Sequence, residues 1–332
     1  MSELRKFLFD GLPVRGAIVR LTDAWQEILS RRASNAAAGP YPEPVQTLLG
    51  EMTAAAALMQ SSIQFDGAMV LQVFGDGPLK LTVVEVQSDL RLRATASMPG
   101  PLAGETTLTE LVNQNGKGRC AITLDPARKQ PGQQPYQGMV ALNDADGRSF
   151  DRLSDVLQHY MRHSEQLDTV LVLAADAQVA AGLLIQRLPV KGEANLAGAA
   201  SQSESTAQAD SLGGNEDYNR IAHLASTLKA EELLTLDIDT VLRRLFWEER
   251  VLTFAPKSGE SGPRFACTCS RERVGQMIRS LGQAEAESIL SERADIEVAC
   301  EFCGQQYRFD AVDTAQLFAA AEAQPPGSRS VQ

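Results

Sequence analysis

The stretch Arg264–Val274, RFACTCSRERV, places Cys267 and Cys269 with one residue between them, and Ala299–Tyr307, ACEFCGQQY, adds Cys300 and Cys303. The chain has 332 residues but only five cysteines, and these four lie in its last fifth. A chain does not scatter buried thiols that way. Four thiolates gathered in two close pairs suit tetrahedral Zn²⁺, which binds sulfur at about 2.3 Å in closed structural sites. Cys-x-x-Cys alone is weak evidence; a second pair in the same small region makes a metal centre of Cys267, Cys269, Cys300 and Cys303. The CEFCG element falls between two predicted strands, DIEVAC and QQYRFD, as a zinc-knuckle turn with sulfurs and backbone N–H groups aimed at one point. A thioredoxin-like Cys-x-x-Cys would instead open a helix after a strand. An iron–sulfur cluster also uses four thiolates, and the hairpin context favours zinc over it.

Working outward, helices are expected at SRERVGQMIRSLG, AEAESILSE and AVDTAQLFAAAEA, giving a small domain over 264–320 and a disordered tail over 321–332. A unit this small builds little core, and a metal usually helps it fold. Binding of structural zinc is then folding free energy, on the order of 10–16 kcal/mol in zinc-finger peptides. Metal-held thiolates remain nucleophilic toward peroxide or hypochlorous acid, so oxidation of the ligands should eject the metal and unfold the domain.

Before it, DYNRIAHLASTLKAEELLTLDIDTVLRRLFWEER spaces Ile221, Leu224, Ala225 and Leu228 on one helical face and Val241, Leu242, Leu245 and Phe246 on another. These are charged amphipathic helices whose apolar faces must dock on something, and they assign 216–263 as a helical linker region. Residues 191–215, KGEANLAGAASQSESTAQADSLGGN, carry no aromatic and no β-branched aliphatic residue. Such a segment cannot offset its ordering entropy and reads as a flexible linker.

Residues 1–190 read as one α+β domain with an antiparallel sheet and packed helices. PVRGAIVRL alternates as a strand, and TDAWQEILSRR follows as a helix with Thr22 as N-cap and Trp25, Ile28 and Leu29 on one face. VQTLLGEMTAAAALMQSS has the alanine, leucine and methionine content of a helix. AMVLQVFG, PLKLTVVEV and LRLRATA are strands joined by tight turns. TTLTELVNQ is a short helix, RCAITLD and YQGMVALN are strands, and SFDRLSDVLQHYMRHSEQ is an amphipathic helix. TVLVLAA and QVAAGLLIQRL form a hairpin around Asp176.

The net charge is −11, with 44% hydrophobic and 22% charged residues, the composition of a globular chain whose field repels phosphate backbones. Residues 264–332 hold seven arginines, no lysine and ten Asp/Glu, so the metal domain is itself acidic, which speaks against a zinc-ribbon nucleic-acid binder. No secretory signal is read at the start and no stretch is long enough to span a bilayer, so a reducing cytoplasm is expected. Cys120, in GRCAITL, reads as a buried inert thiol. His159 and His163 have metal-compatible spacing on one helix but no third ligand. No phosphate loop, Ser/His/Asp arrangement or paired carboxylates emerge, so no catalytic residue is assigned; an enzyme carrying a structural zinc domain is the other rival.

FACTCSRERV with VACEFCGQQYRF resembles the redox-regulated thirty-three-kilodalton heat-shock chaperonin family. LLGEMTAAAALMQSSIQFDGAMVLQVFGDGPLKLTVVE, YQGMVAL, YMRHSEQLDT and LKAEELLTLDIDTVLRRLFWEERV are similar to the core and linker of that family, from about residue 14 to 318. The resemblance implies an ATP-independent holdase, inactive while reduced and holding one zinc. It implies that oxidation forms Cys267–Cys269 and Cys300–Cys303 disulfides, releases zinc, unfolds the linker and promotes a homodimer. Clients would be unfolding proteins, reduction would come from thioredoxin or glutaredoxin systems, and clients would pass to ATP-dependent chaperones. Candidate client-binding positions are Ile221, Leu224, Leu228, Leu233, Leu234, Leu242, Leu245 and Phe246, with the sheet face they cover. Segments 31–44 and 191–215 exceed what that family needs, and the second is expected to alter the activation threshold.

Overall fold

The computed structural model describes residues 1–35, 39–100, 102, 107–129, 132–188 and 216–322. The expected flexible linker over 191–215, part of the loop 31–44 and nearly all of the tail 321–332 lie outside these residues. The chain divides into two compact units, Met1–Ala266 and Cys267–Gln332.

The strands of the first unit are β1 (Glu3–Phe9), β2 (Val14–Leu21), β3 (Gly67–Phe74), β4 (Leu81–Gln87), β5 (Arg91–Ser97), β6 (Arg119–Pro126), β7 (Tyr136–Ala141), β8 (Thr169–Ala175), β9 (Ala180–Arg187), β10 (Val251–Thr253), β11 (Lys257–Ser258) and β12 (Arg264–Phe265). Its helices are α1 (Asp23–Ala33), α2 (Glu43–Ser62), α3 (Leu108–Val112), α4 (Leu153–His163), α5 (216–226), α6 (Ala230–Thr235) and α7 (Ile238–Leu245). The strands form two sheets rather than the single one expected. One runs β10-β1-β2-β9-β8, with β11 also on β1; the other runs β12-β5-β4-β3-β6-β7. All pairings are antiparallel except β12 on β5.

Helix α2 packs against strands of both sheets. It is buried nearly all round, from Val45 to Ser61, which is why its sequence is apolar without a polar stripe. Its small residues permit the close approach: a Cβ on Gly50 would lie 2.4 Å from the Ala175 Cβ. The sheet built on β3, β4 and β5 has one face on this core and alternates accordingly, as in LTVVEVQ. The other sheet is covered on both faces, so β9, AAGLLIQ, is a continuous buried run. Its second face carries Phe7, Phe9, Val14, Ile18, Leu183 and Ile185, and α5–α7 lie over it. Asp176 closes the β8–β9 hairpin by accepting the N–H groups of Gln178 and Val179, both at 2.7 Å.

Some local expectations change. Thr22 occupies the N-cap position of α1, but its side chain makes no capping bond. The Ser2 hydroxyl serves instead, accepting the N–H of Thr22 at 3.0 Å and of Ala24 at 3.2 Å. Strand β1 is not anticipated from its sequence, and the 216–263 region is not only helical: β10 and β11 pair with β1.

The second unit holds α8 (Arg271–Leu281), α9 (Gln283–Glu292), β13 (Ile296–Ala299), β14 (Gln306–Phe309) and α10 (Ala311–Glu322). Among the described residues its hydrophobic core has five buried members, Val274, Ile278, Ala286, Ile296 and Phe309. That is too little apolar area to hold a fold of this length unaided.

Candidate metal centre

Two elements deliver the four thiols. Cys267 and Cys269 lie on the segment entering α8, whose first turn is capped by Ser270 accepting the N–H of Arg273 at 3.3 Å. The Arg273 guanidinium donates to the Thr268 carbonyl at 2.8 Å, fixing the residue between the two cysteines. Cys300 and Cys303 lie on the β13–β14 turn. The turn closes with Cys300 N–H donating to the Gln305 carbonyl at 2.9 Å and Gly304 N–H to the Cys300 carbonyl at 2.8 Å. Gly304 has φ +72°, the left-handed conformation that side chains resist and glycine accepts. Backbone N–H groups of Phe302 and Cys303 point at the Cys300 sulfur, and that of Gln305 at the Cys303 sulfur. This is the knuckle geometry expected from CEFCG.

All four sulfurs lie within 4.8 Å of one another, and among the described residues they are the one group of three or more potential ligands so arranged. Cys267 Sγ is 3.6 Å from Cys300 Sγ, and Cys269 Sγ is 3.4 Å from Cys303 Sγ. All are free thiols. A tetrahedron with metal–sulfur bonds of about 2.3 Å has edges of about 3.8 Å, so the donor set fits one tetrahedral ion. Burial first, then crowding by the other sulfurs, pushes the Cys300 and Cys303 thiols up, against the pull of the N–H donors. A divalent cation at the centre inverts that balance and favours four thiolates.

Tyr307 is the contributor that motif reading misses. Its hydroxyl donates to Cys269 Sγ at 3.1 Å. That bond, together with burial, holds the phenol well above its usual range and keeps it a donor. The available signal is register: Tyr307 on β14 stands opposite Val298 on β13, so the knuckle strand carries it back to the sulfurs.

The candidate client-binding positions come together as one patch. Ile221, Leu228, Leu233, Leu242, Leu245 and Phe246 are buried against the sheet, with Leu224 and Leu234 partly buried beside them. Phe246 sets its ring edge-on to Phe9 at 5.0 Å between centroids and lies 6.2 Å from Phe7. Cys120 is fully buried on β6, and burial pushes its thiol up to about 12. His159 and His163 lie with ring centroids 4.2 Å apart, their planes tilted by 41°, and gather no third ligand among the described residues. No helix of the described residues is long and apolar enough to cross a membrane.

The family model described as Hsp33 protein matches residues 2–310. The 33 kDa chaperonin of Chromobacterium violaceum is 42% identical over 317 residues, covering 96% of this chain and 94% of that one. The 33 kDa chaperonin of Methylobacillus flagellatus is 41% identical over 318 residues, covering 96% and 94%. Among solved structures, the 33 kDa chaperonin (heat shock protein 33 homolog) of Thermotoga maritima superposes with a TM-score of 0.69 at 19% identity, covering 97% of this chain and 99% of that one. That likeness establishes the fold.

Proposed function

The chain belongs to the Hsp33 family, and from that premise we propose that it is a redox-regulated, ATP-independent holdase with a zinc-bound resting state. The observation that carries the reading is the convergence of four free thiols within 4.8 Å in a unit whose hydrophobic core, among the described residues, holds five buried side chains. Cys267, Cys269, Cys300 and Cys303 would hold the ion. When bound, zinc supplies charge that keeps the thiols ionised and binding free energy that keeps the small unit folded.

The chain's own residues do the rest. Each neighbouring pair, Cys267 with Cys269 and Cys300 with Cys303, gives two electrons to one peroxide. One S–S bond forms and the O–O bond breaks, and the two oxygens leave as water with the two hydrogens of the peroxide and two protons taken from solvent, since the zinc-held sulfurs are thiolates. In the reduced arrangement the short sulfur contacts at 3.4 and 3.6 Å run across the pairs, so the neighbouring bonds require the knuckle and the Cys-x-Cys turn to relax. With all four thiolates spent no donor remains for a cation, and the five-residue core loses its support. Release of α5–α7 then exposes the face bearing Phe7, Phe9, Ile18, Leu183 and Ile185. Non-directional apolar contact on that face suits clients of unrelated sequence. Homodimer formation on oxidation, reduction by thioredoxin or glutaredoxin, hand-off to ATP-dependent chaperones and a cytoplasmic setting belong to the same reading. So does slower or faster activation of a variant lacking 195–213.

The test is light scattering of a thermally unfolding client with the protein either reduced and zinc-loaded or oxidised by peroxide under mild heat. Suppression by the oxidised form alone, reversed by a thiol reductant, is expected. Equal failure of both forms overturns the holdase reading, and equal success of both overturns the redox switch.

A further inference from the structure

A cavity of the first unit lies away from the helix-covered sheet face. It has a volume of about 600 Å³ and is formed where the starts of α2 and α4 meet α3. That is the size of a small-molecule site. Its walls are apolar: Pro42, Pro44, Leu48, Leu108, Leu111 and Leu153. Its charged or titratable lining groups are Glu43 and Glu51 from α2, and Asp151 and Arg152 ahead of α4. Glu43, Asp151 and Arg152 are exposed, whereas Glu51 is half-buried on α2 and opens onto the cavity. Glu51 makes no hydrogen bond or ion pair among the described residues, and Arg152 reaches it only as a distant charge. A half-buried carboxyl that takes no hydrogen bond from the protein and opens onto a cavity is left to pair with whatever enters it. Excess negative charge around it, within aliphatic walls, defines what pairs with it.

We propose that this cavity binds a ligand carrying a primary ammonium or guanidinium group on an aliphatic stem, with Glu51 as the carboxylate that receives the cation. The stem lies along Leu48, Leu108, Leu111 and Leu153, and Glu43 and Asp151 attract the charge at the exposed side. Arg152, at the exposed side, limits that attraction. Two sources share the chemistry: a free polyamine, or the lysine or arginine side chain of a polypeptide.

Burial pushes the Glu51 carboxyl up to about 7, with Arg152 pulling it down. Cation binding therefore requires Glu51 to lose its proton below that pH. A group held near 7 is about one-tenth ionised at pH 6 and nine-tenths at pH 8, so affinity rises about tenfold between them. The experiment is titration calorimetry of the reduced, zinc-loaded full chain with spermidine in one arm and a short uncharged peptide bearing one lysine in the other. It is run at pH 6 and pH 8, each in two buffers of different ionisation enthalpy. Expected are release of close to one proton per ligand at pH 6, little at pH 8, and about tenfold tighter binding at pH 8. Glu51→Gln should abolish both the release and the pH dependence. Binding in only one arm identifies the source. No heat in either arm, or binding with no proton release at pH 6, overturns the assignment without relying on any variant.

Discussion

Phe246→Ala tests whether the helices over the sheet are a separable cover. The Phe246 ring is 2% exposed and sits against Phe9 and Phe7 at 5.0 and 6.2 Å. Truncating a buried phenylalanine costs about 3–5 kcal/mol through lost transfer energy and the cavity left behind. The phenylalanines of β1 remain held by the sheet, so the loss falls on the docking of α5–α7. At about 1.4 kcal/mol per factor of ten, the opening equilibrium shifts by two to nearly four orders of magnitude. Hydrogen exchange reads this directly: amides of 216–245 should lose that much protection while β3 and β4 amides keep theirs. The reduced variant should also suppress client aggregation without oxidant. Protection within tenfold of the parent in 216–245, or parallel loss in β3 and β4, would refute the idea that the cover opens alone.

Tyr307→Phe removes the donor to Cys269 and should weaken zinc affinity 10- to 100-fold, measured by competition with a chromophoric chelator; a change under twofold would make the contact incidental. Chelation under reducing conditions should unfold 267–322 while the first unit keeps its melting transition, seen by circular dichroism and calorimetry. Alkylation at pH 8 should spare Cys120 until denaturant is added, because burial holds its thiol up near 12. The sign for stability follows: the raised folded value leaves Cys120 neutral and costless below the unfolded value of about 8.5. Each pH unit above that removes about 1.4 kcal/mol, up to about 12. Cys120→Ser should therefore flatten the alkaline limb of the stability curve, compared by denaturant titration.

Sequence reading locates elements best where one structural layer decides the pattern. β3 and β4 alternate because one face meets the core, and α2 is apolar because it is enclosed. β1 is missed because Glu3, Arg5 and Lys6 break the pattern on a strand covered on both faces, and β10–β12 are too short to show any period. Their pairing joins Phe7 to Thr253 and Leu92 to Phe265, contacts that no local window reports. At the metal centre, spacing supplies the four cysteines because ligation demands residue type and turn geometry together. Tyr307 and Arg273 stay hidden because their roles depend on strand register and helix placement. The division of the first sequence region into two sheets is likewise hidden, since a hairpin pattern does not say which sheet a hairpin joins.

β10 and β11 on one sheet and β12 on the other have a kinetic consequence. The chain is held at β9 before α5–α7 and again at β10 after them, so helices released as proposed would remain a tethered competitor for the face they leave. Their effective concentration there is about millimolar. On the holdase reading proposed above, a client would gain the face only by outbidding that local ligand, which sets a floor on the affinity worth having. Re-covering is first order in protein, so the rate at which α5–α7 return after reduction should not change on dilution, although recapture of a departed client should.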